Sequence, residues 1–409
     1  MNFMHLKTLT LSMTATSLAI ALISFPKEAY NASVRGLTMW WEVVFPSLLP
    51  FFIVSELLIS FGVVTFLGAL LEPIMRPLFR VPGTGGFVWA MGMASGFPAG
   101  AKLTVRLRQE GKLSKTEAER LVTFTNASNP LFIFGAISVG FFHDPKLGFL
   151  LAACHYGGNL CVGLIMRFHG STDIEQGKEG QQKHTGSLRR AFQQMHEDRL
   201  KDGRPIGKVL GDGINSSVKT LLMIGGFIIL FSVLNEMLQL IQIQALFASL
   251  FAIVLSAMQI SNELSPALIS GLFEITLGSQ IASETNNTSI FHQVIITSFI
   301  IGFSGFSVQA QVASILSESD IQFRPYFFAR ILHGFIASLL AVLLYHPLYT
   351  LRGDVTAATF ATENAMNGFI YVYHWLLQYG HILTTFTLVI WVILFAKKYQ
   401  DRGEVHTRK

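Results

Sequence analysis

The chain has 409 residues, of which 51% are hydrophobic and only 13% are charged. With 35 Phe, 35 Gly and a mean hydropathy of +0.48, it reads as an all-α polytopic membrane protein rather than a water-soluble globular one. A formal charge of +5 is what an excess of cytoplasmic Lys and Arg gives a membrane protein, so no nucleic-acid partner is expected.

Residues 9–25 follow Lys7, are long and apolar and lack a small-residue cleavage site, so they are expected to be an uncleaved first span. Residues 26–42 are mixed, with Trp40 and Trp41 placed as an interfacial aromatic pair. A second span is expected from Val43 to about Leu67, carrying Glu56, and residues 68–82 alternate apolar and basic side chains as an interfacial segment does. Then comes the stretch MGMASGFPAGAKLTVRLR, Met91 to Arg108, apolar at first, broken by Ser95, Gly96, Phe97, Pro98 and Gly100, and cationic from Lys102. Irregular backbone at membrane depth is tolerated only where protein buries it or it lines a wet cavity. Residues 83–101 are therefore expected to form a re-entrant segment.

The run SKTEAER carries a capping-box signature, Ser114 or Thr116 with Glu117 or Glu119, ahead of a helix that enters the bilayer. Inside that helix Thr125, Asn126, Ser128 and Asn129 precede Pro130, a pattern expected to be unwound at depth. Residues 147–167 make another span, and 168–217 are the long hydrophilic stretch, either a loop or a short amphipathic helix around Leu188 to Leu200. Further apolar segments fall at 219–240, 264–283, 290–317, 327–349 and 376–396, before a basic tail.

Three correspondences suggest an internal repeat. Phe51 can be laid on Phe227, Gly96 on Gly278 and Phe124 on Phe303, offsets of 176, 182 and 179 residues. Two inverted repeats follow, each with one re-entrant segment and one broken helix, and about 8 transmembrane helices in all. The expected organisation is an N-terminal helix and linker (1–42), a first repeat (43–167), a cytoplasmic loop (168–217), an inverted second repeat (218–349), and an external loop, last helix and cytoplasmic tail (350–409). In that topology 102–120, 168–217 and the tail are cytoplasmic and hold most of the Lys and Arg, as the positive-inside rule requires.

Polar residues at depth are the candidate substrate site, because burial there is costly unless they are paired or wet. They are Ser95, Gly96, Phe97, Gly100 and Lys102 of the first re-entrant segment; Asn126, Ser128 and Asn129 of the first break; Glu274, Ser279 and Gln280 of the second re-entrant segment; and Ser304, Ser307, Gln309 and Gln311 of the second break. Glu274 could bind a coupling cation or substrate, or pair with a neighbouring Lys or Asn. Lys102 could anchor topology with Arg106 and Arg108, or attract an anion. Glu56 and Glu236 lie nearer helix ends, where structural pairing is as good a reading. The histidines, including His155 and His333, show no metal-ligand spacing and are assigned surface or packing roles. No nucleophile and base set, phosphate loop, metal cluster or cofactor motif occurs, so neither catalysis nor a cofactor is expected.

The runs VRGLTMWWEVVFPSLLPFFIVSELL, LLEPIMRPLFRVPG, MGMASGFPAGAKL and FTNASNPLFIFGAISVGFFHDP closely resemble a family of sporulation integral membrane proteins of endospore-forming bacilli. That resemblance implies paired nucleoside-recognition (Gate) domains, similar to parts of concentrative nucleoside transporters. It also implies movement of dipicolinic acid from the mother cell across the outer forespore membrane. The partners expected on this basis are a small anionic substrate, the lipid bilayer, a coupling ion and other sporulation membrane proteins. A nucleoside carrier is the alternative within the same class, and a sporulation scaffold or receptor acting through residues 168–217 is the alternative outside it.

Overall fold

A computed structural model describes residues 3–170 and 188–350, which are helical, with no strand among them. The expected last helix near 376–396 lies outside the described residues. Four helices are long and apolar enough to span a bilayer, or up to six if each of two bent pairs is one span.

The first bent pair is α1 (Phe3–Ser24) and α2 (Pro26–Met39), turned through 103°. Pro26 opens α2 and cannot donate to the preceding turn, so the chain turns there. A wide π-helical turn (Trp40–Val44) leads into α3 (Phe45–Ser60). The span expected over residues 43–67 is not continuous. Gly62 adopts φ +75°, open to glycine without strain, and α4 (Val63–Phe79) leaves at 83° to α3. The apolar run hid this bend because both arms are apolar.

Next come α5 (Thr84–Ser95) and α6 (Ala99–Gln109), two short helices joined at Gly96–Pro98, the first re-entrant hairpin. Helix α7 (Lys115–Thr125) opens on the capping box, which uses Ser114 and Glu117: the Glu117 N–H donates to Ser114 Oγ at 3.2 Å and the Ser114 N–H to Glu117 Oε2 at 2.9 Å. Glu117 Oε1 also accepts from Arg76 Nη1 at 2.7 Å, so the cap docks α4 onto the start of α7. Ser114→Ala is expected to lower stability by about 1 kcal/mol, a figure typical of lost N-caps, which thermal unfolding in detergent would check.

Residues 126–130 are not helical, and the chain resumes as a wide helix, Leu131–Phe141, followed by α8 (Leu147–Met166). Within the hydrophilic stretch the amphipathic-helix reading holds: α9 (Leu188–Asp202) packs on α4 through Phe66 and Phe192, whose rings lie 4.7 Å apart. The 35-residue α10 (Ile206–Leu240) starts eleven residues before that stretch was expected to end. Helix α11 (Ile243–Ala257), α12 (Ser265–Phe273) and α13 (Ile275–Glu284) follow, α12 and α13 meeting at Glu274 as a second hairpin. Then α14 (Ile290–Phe303) and α15 (Gly305–Leu316) are divided at Ser304 and Gly305, both at positive φ, before α16 (Phe323–Tyr345).

The order of elements repeats. Helix α4, the first hairpin, the first broken helix and α8 recur as α11, the second hairpin, the second broken helix and α16, displaced by 174 to 181 residues. Gly96 corresponds to Glu274 rather than Gly278, four residues from the sequence alignment. Apolar helices slide past one another in an alignment by one turn at little cost, which accounts for the slip.

Candidate functional site

Each hairpin is seated against a break. Gly92 and Gly100 approach so closely that a Cβ would lie 2.1 Å and 2.4 Å from the Thr125 carbonyl oxygen, at the end of α7. Only a residue without a side chain allows this. Asn129 Nδ2 donates to the Ser95 carbonyl at 3.0 Å, and Asn126 Oδ1 faces the Ala101 N–H at 3.4 Å. The tip over Ser95 to Gly100 thus rests on residues 126–129. In the second half, Gly305 lies against the Gly271 and Phe273 carbonyls at the end of α12.

Between these pieces is a cavity of about 320 Å³. Both hairpin tips line it, with Ser95, Gly96 and Phe97 from one and Glu274, Ile275 and Thr276 from the other. Both breaks line it too, with Ser128, Asn129 and Phe132 from the first and Ser307 and Gln311 from the second. Eight of the fifteen candidate residues therefore share one wall. Two of them cap helices facing it: Asn129 Oδ1 accepts from the Phe132 N–H and Glu274 Oε2 from the Leu277 N–H, each at 2.8 Å. The Ser95 hydroxyl is buried and has no hydrogen-bond partner among the described residues. Glu274 makes no ion pair among the described residues and accepts instead from a backbone N–H, so the alternative of a neighbouring Lys partner is not met.

The other seven lie elsewhere. Asn126 is buried beneath the cavity and donates through Nδ2 to the Tyr326 hydroxyl at 2.8 Å. Ser304 Oγ donates to its neighbour, the Phe303 carbonyl, which Gln309 Nε2 also reaches at 3.1 Å. Ser279 is fully buried inside the second hairpin, while Gln280 bonds Glu284 at 2.9 Å on its outer side. Gly100 acts through packing on Thr125. Lys102 lines a second cavity of about 470 Å³ together with Glu56, Arg106, Arg204 and Lys219. There its ammonium is 3.9 Å from Glu56 and 4.5 Å from the centre of the Phe52 ring. Glu236 pairs with Arg35, as its position near a helix end allowed.

The two cavities follow one another along α10 and α15. Trp40 of the π-helical turn, Leu48 and Phe52 of α3, Ala99 of α6, and Leu221 and Ile224 of α10 form a buried apolar cluster. Away from the cavities, Arg108 binds Asp320 through two nitrogens at 2.7 and 2.9 Å, and this guanidinium holds the Asp320 carboxyl below the usual carboxylate range.

One residue at the centre was missed by the sequence reading. Arg330, on α16, is fully buried, and its Nη1 donates to the Asn126 carbonyl at 3.2 Å. Its Nη2 donates to the Gly302 carbonyl, so a single guanidinium holds the C-terminal ends of α7 and α14. These are the negative ends of two helix dipoles, where a cation is favoured. The signal was present: an arginine alone in the apolar run PYFFARILHGF. Beside it His155 and His333 are buried with ring centres 4.9 Å apart, 178 residues apart in sequence and thus at matching places in the repeat. His155 Nε2 accepts from the Ser128 N–H at 3.0 Å, and His333 Nε2 contacts the His155 carbonyl at 2.8 Å. Their role is internal packing.

The Gate family model, described as nucleoside recognition, matches residues 41–143, the part of the chain that holds the first hairpin and the first break. Over 399 residues, 97% of this chain and 98% of the relative, the chain is 52% identical to the sporulation integral membrane protein YlbJ of Bacillus subtilis (strain 168). The chain belongs to the YlbJ family. It is thus an integral membrane protein of a sporulation family, as its sequence motifs implied. An uncharacterized protein of Alkalihalophilus pseudofirmus is 35% identical over 121 residues, 28% of this chain and 25% of that protein. No solved structure matches. The Gate-matched part of this YlbJ-family chain contributes the first hairpin tip, the first break and the start of the wide helix to the cavity, whereas Glu274, Ile275, Thr276, Ser307 and Gln311 come from outside it.

Proposed function

We propose that this protein is a transporter of a small anionic metabolite, dipicolinic acid moving from the mother cell across the outer forespore membrane, and that it has no catalytic activity. The observation that carries the reading is the cavity joining two hairpin tips and two helix breaks. Discontinuous helices that meet around a pocket are how transporters expose backbone donors to a solute at membrane depth. A volume of about 320 Å³ falls in the range of small-molecule sites, roughly 300–1,000 Å³. Neutral groups from Ser95, Ser128, Asn129, Ser307 and Gln311 suit carboxylate oxygens, and Phe97 and Phe132 suit an aromatic ring. Glu274, at the opposite hairpin, is the place for a coupling cation or proton. Alternating access between two inverted halves would expose this site to one side and then the other.

The test is uptake of radiolabelled dipicolinate into proteoliposomes, with uridine alongside. Protein-dependent dipicolinate uptake is expected, and Asn129→Ala and Glu274→Gln are each expected to lower it about tenfold, a rise of roughly 1.4 kcal/mol in the transport barrier. Absence of uptake under proton, sodium and potassium gradients would discard the proposal. Uridine uptake in its place would support a nucleoside carrier, the second reading, which draws on the nucleoside-recognition description of the matched family. A scaffold acting through the hydrophilic stretch is separated by deleting residues 171–187 alone, because α9 is part of the packed structure. A transporter keeps its uptake after that deletion.

A further inference from the structure

Arg330 does not line the cavity, yet it lies directly behind the cavity wall. Its Cζ is 5.5 Å from the centre of the Phe97 ring, and Phe97 is a lining residue. The oxygens that it touches, the Asn126 and Gly302 carbonyls and the Asn159 side-chain carbonyl, are all neutral. Its Nε is buried without a hydrogen-bond partner. Around it stand Tyr326, His155 and His333, and none of these brings a carboxylate. Carbonyl dipoles stabilise a guanidinium without cancelling its net charge, and in a low-dielectric interior that charge is felt across a ring's thickness. Glu274 is the carboxylate in the cavity lining, and it belongs to the opposite hairpin, where it caps α13. The cavity therefore has a positive side behind Phe97 and a negative side at Glu274.

We propose that Arg330 is a specificity-determining residue, a fixed positive charge acting through the Phe97 ring to draw the carboxylate of an aromatic anion to the first-hairpin side of the cavity. It does not touch the substrate. Its hold on the two breaks places the charge there, and the Phe97 ring, with a cation over one face, is left with an opposite face that is less repulsive to carboxylate oxygens. A cation is then accommodated at Glu274 on the other side. The identity of the ligand rests on the transport reading, whereas the electrostatic claim does not.

The experiment reads the local potential without requiring transport. Cys154 and Cys161 are replaced by Ala, and a reporter is placed on the first hairpin as Ser95→Cys or on the Glu274 side as Thr276→Cys, both lining the cavity. Each is reacted with a negatively and a positively charged methanethiosulfonate of similar size. The negative-to-positive rate ratio is expected to be higher at the first site than at the second. Arg330→Gln is expected to lower the ratio at the first site by about tenfold, the lower end of the range for charge focused in a low-dielectric cleft, whereas Arg330→Lys keeps it. An unchanged ratio in Arg330→Gln overturns the inference. So does an equal ratio at the two reporters in the Arg330 protein, a measurement that holds even where Arg330→Gln fails to fold. A normal potential pattern without any dipicolinate uptake would sink the transport reading alone.

Discussion

Gly100→Ala is expected to abolish transport and to lower stability by about 3 kcal/mol, at the upper end of the usual cost of overpacking. The added Cβ would lie 2.4 Å from the Thr125 oxygen, 2.5 Å from its carbonyl carbon and 2.7 Å from the Asn126 nitrogen. All three are main-chain atoms at a helix end and cannot step aside as a side-chain tip can. The first hairpin must instead lift off the break, which stretches the bond from Asn129 to the Ser95 carbonyl and moves Phe97 in the cavity wall. The comparison is Gly226→Ala in α10, where nothing lies within 4 Å of the new Cβ. There the residue gains helix propensity, and a rise in stability of roughly 0.5–1 kcal/mol is expected. Tryptophan fluorescence on heating in detergent checks both, and proteoliposome uptake checks the first. Equal thermal stability of the two variants would show that the hairpin is not held by close backbone contact.

The broken elements were legible in sequence because they contradict their surroundings. Pro98 and Pro130 follow small or polar residues inside apolar runs, and no uninterrupted helix satisfies that pattern in a membrane. The capping box was legible for the same local reason. The bend at Gly62 was not, because the run VSELLISFGVVTFLGALLEP is apolar on both sides of one glycine and its composition is indifferent to a turn. The candidate polar residues divide along physical lines. Ser128 and Asn129 line the cavity, whereas Asn126, in the same cluster, turns below it to Tyr326. In an unwound segment no helical period fixes direction, so spacing could not separate them. Lys102 falls in the outer cavity because α6 runs away from the tip, and three residues past Ala99 is already a turn farther along. Arg330 was not legible as a central residue because its main partners are main-chain carbonyls, which leave no trace in the sequence.

Arg330→Ala is expected to be the most damaging change on α16, lowering stability by about 3–5 kcal/mol, as two buried carbonyls left unpaired would. Two effects oppose each other. Removing a fully buried cation relieves its desolvation, which favours the variant. Against that, the Asn126 and Gly302 carbonyls lose their donor at once. Each buried unsatisfied carbonyl costs about 1–3 kcal/mol, and the void left by a guanidinium adds to it. The loss wins because the same atoms hold both helix breaks: without them α7 and α14 each end on an unpaired carbonyl in the protein interior. Arg330→Met separates the contributions, since it fills the void and relieves the charge but still cannot donate. Its cost should fall between those of the wild type and Arg330→Ala, at about 2 kcal/mol for the unpaired carbonyls. A thermal unfolding series of the three proteins measures this order directly. Arg330→Met as stable as the parent would mean that the carbonyls find other donors and that the guanidinium is not what joins the two breaks.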